Sequence, residues 1–321
     1  MSRRTYVALA ALAGLAWAGC ASEAARLGMP ANSTPAEIQA AIQIGDKAFD
    51  QYLAADIRLQ KISQNLRVTG APLCEGEQNA VLGLVLSGRR EVPGPHRPAA
   101  DRRFSDRRLR VIGVLDGLPA AKAGVKPGDV IESIGGRDVG NFYRAYKASG
   151  GGAEKIELRL ERDGEPMTVA LDRVMGCAYP AYLQLDDQVN AGAATEIGYT
   201  IYTSALVREM NTDTMLAFVV GHEIAHNIIN RLDAAAPTSS RDHEARADYI
   251  GAYIVAAAGY PMTGEDSQLF NVLTRGNPNE IGKGKYLSHP MSSQRTLAFK
   301  QTVAEIRAKQ ERGDPVRPEV R

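Results

Sequence analysis

Apolar and polar positions follow two different periods along this chain, and the first region has the helical period. Residues 32–67 begin with Thr34, Pro35 and Glu37, which supply an N-cap, a first-turn proline and a capping-box glutamate. Apolar side chains then recur at helical spacing as Ile38, Ile42, Ala48, Tyr52, Ile57 and Ile62. The pattern predicts one long helix that ends near Gly70.

The region from 78 to 174 has the period of short strands separated by turns. Apolar runs occupy 81–86, 110–115 and 130–134, and a hairpin-like pair occupies 155–162 and 166–171. Asp163-Gly164 joins this pair and is typical of a tight hairpin turn. A β-rich module is therefore predicted in the middle of the chain.

The last region returns to helices after a short stretch of predicted strand at 187–202. Residues 215–229 form a continuous apolar run, and polar residues at 211–213 can cap its start. The run at 249–258 is also apolar, but it is too short to span a membrane and indicates a buried helix. The whole pattern favours the α+β class.

The N-terminus has the features of an export signal. Arg3 and Arg4 precede an apolar segment at 6–18, and Gly19-Cys20 follows. This ending resembles a bacterial lipobox, which implies a diacylated Cys20 and a membrane anchor. Residues 16–18 also offer an A-x-A site for ordinary cleavage, and this alternative stays open.

The predicted location is therefore the periplasm. By the resemblance to lipoproteins, Ala21 after the cysteine implies anchoring at the outer membrane. A formal net charge of +1, with 44% hydrophobic and 23% charged residues, indicates globular domains and gives no sign of a nucleic-acid partner. The length of 321 residues allows two such domains.

Two further cysteines, Cys74 and Cys177, lie just outside the two ends of the β-rich module. An oxidising compartment favours a disulfide between them, with two free buried thiols as the alternative. A bridge there would close the neck where the module leaves and rejoins the chain. The N-terminal helix would then pack with the C-terminal half, and the module would be an insertion.

An arginine-rich segment at 89–110 interrupts the β-rich module. It can be interpreted as a solvated loop, which we expect, or as a surface for lipid headgroups or acidic substrates. Its members are Arg89, Arg90, Arg97, Arg102, Arg103, Arg107, Arg108 and Arg110.

The chemistry of the chain is carried by His222-Glu223-Ile224-Ala225-His226 within the apolar helix. Side chains four apart share a helix face, so His222 and His226 can bind one metal ion, and Glu223 adjoins them. The alternative is coincidence in a buried helix, but only five histidines occur in the chain. The spacing predicts one zinc ion per chain with Glu223 as general base on the attacking water.

A third ligand must come from elsewhere in the chain. Leu232 and Ile229 stand where one zinc-protease class has its third histidine and its turn glycine, so that class is excluded. Glu244 and Asp248 are four apart on the next predicted helix. We predict that Glu244 binds zinc and that Asp248 accepts a hydrogen bond from a ligand histidine.

The segment 119–131, with its Ala-Gly helix and Pro-Gly-Asp turn, resembles bacterial PDZ domains. The resemblance implies a module that binds peptide C-termini. Residues 83–86 can be its carboxylate-binding loop or only a core strand, and this choice stays open. His96 and His243 appear in no motif and look incidental.

The pair His-Glu-x-x-His and Glu-x-x-x-Asp on consecutive helices resembles the HtpX-type zinc peptidases, gluzincins that include BepA-like periplasmic proteases and CAAX prenyl proteases. Asn190-Ala191 with the segment from Gly198, and Ser288-His289-Pro290 with Arg295, support the resemblance. It implies a substrate-binding edge strand at Asn190, Ala191 and Gly198. It also implies that His289 and Arg295 stabilise the oxyanion, or that His289 occupies the fourth zinc position and holds the enzyme latent.

The predicted architecture is a mainly helical zincin-type metallopeptidase domain with a small edge sheet and an inserted PDZ-like domain. Its parts are a signal peptide at 1–20, a helical segment at 21–74, the PDZ-like domain at 76–175, the peptidase domain at 177–312 and a tail at 313–321. The predicted function is zinc-dependent cleavage of unfolded or misassembled envelope proteins. The alternative is a PDZ adaptor or chaperone whose peptidase fold rarely cuts.

Overall fold

The computed structural model of the protein describes residues 22–74, 76–150, 154–194, 198–232, 240–275 and 293–319. The fold is α+β, with helices and several sheets. The export signal with Cys20 and the segment with His289 lie outside the described residues. Within the described part of the chain, no helix is both long and apolar enough to cross a membrane.

The long first helix, α1, spans Pro35–Gly70 and continues into a 3-10 helix at Ala71–Leu73. The predicted capping box is confirmed, because Glu37 N–H donates to Thr34 Oγ1 and Thr34 N–H donates to the Glu37 carboxylate. In the second half of α1 even polar side chains are buried. This happens because α1 is covered from two sides, by the β-rich module and by the C-terminal helices.

The β-rich module is a six-stranded antiparallel sheet. Its strands are β2 (Leu84–Ser87), β3 (Leu109–Val114), β4 (Val130–Ile134), β5 (Arg137–Asp138), β6 (Lys155–Arg162) and β7 (Glu165–Asp172). They run in the order β2-β3-β4-β6-β7, and β5 pairs with β4. The predicted hairpin is confirmed: Arg162 pairs with Glu165, and Asp163 and Gly164 both have positive φ, at 53° and 87°.

Short helices surround this sheet. They are α2 (Arg97–Arg103), preceded by a 3-10 helix at Gly94–His96, then α3 (Pro119–Lys122) and α4 (Phe142–Ala148). Helix α2 belongs to the arginine-rich segment and packs on α1. Arg102 pairs with Asp46 and Arg103 with Asp50, both at 2.6 Å. The expectation of a solvated loop holds only in part: Arg102 and Arg103 are exposed, but they lie on a helix and have acidic partners on α1.

The module joins the rest of the chain through a narrow neck. Strand β1 (Gln78–Ala80) pairs with β8 (Met175–Cys177), and the disulfide between Cys74 and Cys177 lies beside this pair. The predicted bridge is thus confirmed, with a Cα–Cα distance of 5.4 Å across a separation of 103 residues. In the loop-entropy picture, closing a loop of this length stabilises the fold by up to about 4.7 kcal/mol.

The C-terminal half consists of a small sheet and a group of helices. The sheet has the order β10-β11-β9, with β9 at Ala181–Gln184, β10 at Ala191–Ala194 and β11 at Tyr199–Thr203. The helices are α5 (Ser204–Glu209), α6 (Asp213–Leu232), α7 (Ser240–Ala257), a 3-10 helix at Gly264–Gln268, α8 (Leu269–Arg275) and α9 (Ser293–Arg312). Leu59, Ile62 and Leu66 of α1 belong to the same core, so α1 packs with this half.

Candidate metal centre

The two central helices of this half, α6 and α7, touch at a pair of glycines. A Cβ atom on Gly251 would lie 2.8 Å from the backbone N of His222, and one on Gly221 would lie 2.9 Å from the carbonyl O of Gly251. Only glycine permits an approach this close. The contact brings Glu244 and Asp248, which precede Gly251 on α7, onto the histidine face of α6.

The structure brings together His222, His226 and Glu244, all of them buried. The two Nε2 atoms lie 2.9 Å apart. Glu244 Oε2 lies 3.4 Å from His222 Nε2, and Glu244 Oε1 lies 3.3 Å from His226 Nε2. Ligand atoms of a tetrahedral zinc ion are separated by about 3.3 Å, so this triangle has the size that zinc requires.

The outer nitrogen of His222 faces a carboxylate. Its Nδ1 lies 2.9 Å from Asp248 Oδ1, as the sequence analysis predicts for Asp248. Such a contact holds the proton on Nδ1 and leaves the Nε2 lone pair free for a metal.

Arg295 reaches the same site from α9, where it is buried. Its Nε and Nη2 donate to the two oxygens of Asp248, both at 2.7 Å, and its Nη1 lies 3.1 Å from Glu244 Oε2. The guanidinium therefore fixes both carboxylates of α7. Its predicted role at the oxyanion stays a prediction, as does that of His289, which lies outside the described residues.

The charges of the site favour a divalent cation. Among the described residues here, three buried carboxylates, those of Glu223, Glu244 and Asp248, face the single guanidinium of Arg295. Burial lowers the pKa of His222, but the carboxylates of Asp248, Glu244 and Glu223 raise it by more, to about 10. These carboxylates thus stabilise positive charge at His222, while burial lowers the pKa of His226. With both histidines neutral, as metal ligands are, three carboxylates and one guanidinium leave two negative charges, which match one zinc ion. By donor type, size and charge, the residues fit zinc.

Glu223 is 2% exposed and follows His222 directly on α6. Asn227 Nδ2 donates to the carbonyl oxygen of Glu223 at 3.0 Å, which adds a side-chain hydrogen bond to this turn of the helix. Leu232, in contrast, lies at the end of α6 with 54% exposure, away from the ligand triangle.

The predicted substrate strand corresponds to β10, which is an outer strand of its sheet within the described residues. Ala191 begins β10, and Asn190 precedes it with its carbonyl oxygen accepting from Thr203 N–H at 3.0 Å. Gly198 lies in the turn before β11 with φ of 69°, so it shapes the turn and is not part of the strand. A groove of about 430 Å³ runs along β10.

His243, which looked incidental, contacts the second histidine of the motif. The Nδ1 atoms of His226 and His243 lie 2.9 Å apart, while the ring centroids lie 4.9 Å apart with planes 12° from parallel. The two rings are thus nearly parallel, with their Nδ1 atoms at hydrogen-bond distance. His243 Nε2 lies 2.8 Å from Asn230 Oδ1.

One assignment of the protons on the ring nitrogens is consistent with these contacts. Asn230 Oδ1 accepts from His243 Nε2–H, so His243 Nδ1 is an acceptor for His226 Nδ1–H. The Nε2 lone pair of His226 is then available to a metal. No sequence motif marks His243, and its only signal is its position next to Glu244.

We expect His243→Ala to weaken zinc binding by about tenfold or more, because His226 loses the acceptor that orients its ring. His243→Gln offers an amide oxygen and should restore part of the affinity. Zinc affinity is measured by competition with a chromogenic chelator. His96→Ala, far from the site on the 3-10 helix at Gly94–His96, is the control. An unchanged affinity in His243→Ala would show that this contact does not position His226.

Comparison with protein families finds two matches in the chain. Residues 74–158 match the PDZ domain, and residues 154–235 match Peptidase family M48. The chain thus has an M48 peptidase region and a PDZ domain. The M48 match begins directly before β6, so it includes β6 and β7 of the six-stranded sheet, and it ends before Glu244 and Asp248.

Solved structures with local similarity include two proteases and one PDZ domain. The HtrA-type protease AlgW with decapeptide is 22% identical over 31% of this chain and 30% of its own, with a TM-score of 0.26. The HtrA3 PDZ domain bound to a phage-derived ligand is 17% identical over 31% and 91%, with a TM-score of 0.25. The photosystem II D1 C-terminal processing protease is 24% identical over 31% and 24%, with a TM-score of 0.23. A comparison with curated proteins found no match.

Proposed function

We propose that this chain, which carries an M48 metallopeptidase region and a PDZ domain, is a zinc-dependent endopeptidase of the bacterial envelope. One observation carries the proposal: His222, His226 and Glu244 converge on a buried point, with Glu223 next to it on α6. Three protein ligands leave a fourth position open, which is typical of catalytic and not structural zinc sites.

Each residue has a defined task in this proposal. His222, His226 and Glu244 would hold zinc, which when bound polarises the scissile carbonyl and acidifies water. Glu223 takes a proton from the attacking water and passes it to the leaving amine. Asp248 and His243 hold the ligand rings, and Arg295 holds Glu244 and Asp248 in place.

The proposed substrate is an extended stretch of an unfolded or misassembled envelope protein. It would pair its backbone with the outer edge of β10, which lies beside α6 and along the groove described above. Backbone pairing depends little on the side chains of the substrate, so we expect loose cleavage specificity. The export signal and Cys20 support an envelope location with a lipid anchor at the outer membrane.

The test combines metal analysis with cleavage of an unfolded protein. The purified chain is expected to hold about one zinc ion and to cleave reduced, carboxymethylated casein. Removal of the metal with a chelator should reduce cleavage at least about a hundredfold, and added zinc should restore it. Cleavage that persists in the metal-free protein would contradict the proposal. A chain that binds zinc and unfolded protein without cleaving it would favour the adaptor or chaperone alternative.

A further inference from the structure

Strand β2 is at the edge of the six-stranded sheet, yet all four of its residues are buried. An edge strand has one side of its backbone without a partner strand, and a PDZ domain binds an extended peptide at such an edge. Here the second half of α1 lies against β2. The place where a peptide strand would add is therefore covered by the protein's own first helix.

The contact is made by the side-chain amide of Gln64. Its Nε2 donates to the carbonyl oxygen of Leu84 at 2.9 Å, and its Oε1 accepts from Gly83 N–H at 3.0 Å. Gly83 has φ of 78°, and a Cβ there would lie 2.5 Å from Leu118 Cβ, so the loop keeps this shape only with glycine. The Gly83 amide is thus presented to an acceptor, and Gln64 Oε1 supplies it.

A ligand carboxylate requires such a donor. The terminal carboxylate of a bound peptide is captured by backbone N–H groups of a loop that precedes the edge strand. Gly83 precedes β2 directly, so its N–H lies where this capture takes place. Gln64 therefore makes the two contacts that a bound peptide would make. Its amide oxygen accepts from Gly83 N–H as a terminal carboxylate would, and its N–H donates to the Leu84 carbonyl as a peptide backbone would.

Beside Gln64 lies a cavity of about 50 Å³, which holds a few water molecules and no peptide side chain. Its apolar lining comes from the loop, β2, β4 and α4, with Leu82, Leu84, Leu86, Ile134 and Ala145. Arg67 of α1 also lines it, is 4% exposed and stacks over the Tyr146 ring. Arg67 Nε donates to the Cys177 carbonyl, but among the described residues nothing accepts from its Nη2. An apolar pocket next to a buried cation suits an aliphatic residue that carries a carboxylate.

We propose that α1 holds the peptide groove of the PDZ domain closed, with Gln64 in the place of a ligand's C-terminal carboxylate. A peptide with a free C-terminus then binds only when the PDZ domain separates from α1. Leu59, Ile62 and Leu66 anchor α1 in the peptidase core, so the PDZ domain is the part that moves. It remains attached by the neck of β1 and β8, which the disulfide closes.

A second contact holds the two parts together in the first half of α1. Phe104, directly after α2, packs there against Phe49, and the pairs of Arg102 with Asp46 and Arg103 with Asp50 accompany this contact. Separation of the PDZ domain from α1 therefore breaks both an apolar contact and ion pairs. This inference concerns only the PDZ domain and α1, and it stands or fails independently of the zinc site.

The test replaces the side chain that occupies the loop. Binding is measured by fluorescence anisotropy with labelled octapeptides that have random sequence and a C-terminal valine, as free acids and as amides. We expect Gln64→Ala to bind the free acids about tenfold more tightly than the wild type, because two hydrogen bonds of the closed state are lost. The amides should gain nothing, and Gln51→Ala, an exposed glutamine of the same helix, should behave as the wild type.

Hydrogen exchange of residues 80–86, followed by mass spectrometry, shows whether the groove opens. In folded Gln64→Ala, verified by its thermal melt, exchange of this segment should accelerate by about tenfold. Unchanged exchange would overturn the proposal, because Gln64 would not be holding the edge closed. Faster exchange without tighter binding of the free acids would overturn it as well, since the covered edge would then not be a peptide site.

Discussion

Glu223→Gln is expected to lower cleavage of unfolded casein by about 10²- to 10⁴-fold, while zinc content stays at the wild-type level. The amide has the shape of the carboxylate but cannot accept a proton from the attacking water. The ligand triangle of His222, His226 and Glu244 does not include this side chain, so metal binding should persist. Cleavage is followed by mass mapping of the products, and zinc by elemental analysis of the same samples.

The matched control for this change is Glu209→Gln, at an exposed glutamate of the neighbouring helix α5. It should cleave as fast as the wild type. Equal rates for the wild type and Glu223→Gln would reject the hydrolytic mechanism, even with zinc present. Loss of zinc in Glu223→Gln would instead show that this carboxylate helps to hold the metal.

Arg295→Met is expected to lower the free energy of unfolding of the metal-free protein by about 3–5 kcal/mol. The guanidinium is 8% exposed and meets both oxygens of Asp248 and one of Glu244. Its removal takes the guanidinium from two buried carboxylates and leaves them only their contacts with the histidines. Urea unfolding with a chelator present measures the loss. Arg312→Met, at the end of the same helix, breaks an exposed pair with Asp314 and should change stability by less than about 1 kcal/mol.

The ion pair of Arg295 with Asp248 also predicts how the stability of the protein depends on pH. Burial raises the pKa of Asp248, but the hydrogen bonds from Arg295 and His222 lower it by more, so its pKa lies below the ordinary 3.8. The stability that this carboxylate contributes is therefore complete above its unfolded-state pKa and is lost as the pH falls through the folded value. In Arg295→Met the pKa of Asp248 rises, so the variant should lose stability at a higher pH than the wild type. Coinciding acid transitions would contradict the assigned role of Arg295.

Features that depend on near neighbours in the chain could be predicted from the sequence. The capping box of Thr34 and Glu37 is an interaction across three residues, and the Asp163-Gly164 hairpin depends on two adjacent φ angles. The spacing of His222 and His226 places both on one face of any helix. Glu244 and Asp248 could be chosen for the same reason, as two carboxylates one turn apart.

Features that depend on the approach of distant segments could not be predicted. The arginine-rich segment has the composition of a solvated loop, and the packing of α2 on α1 gives Arg102 and Arg103 acidic partners at 46 and 50. His243 faces His226 because α6 and α7 cross closely, and the glycines that permit this crossing have no local pattern. Gln64 has the sequence features of an ordinary helix glutamine.

The sequence by itself determined the local geometry of this protein: a histidine pair with its glutamate, a capped helix, a hairpin and two cysteines at the ends of a module. Helix and hairpin periodicities act over a few residues, so they hold whatever the rest of the chain does. The tertiary structure decided which of these parts meet. It assembled Glu244, Asp248 and Arg295 around the histidines, and it placed Gln64 in the PDZ groove. Such contacts join residues far apart in the chain, and packing across the whole fold selects them.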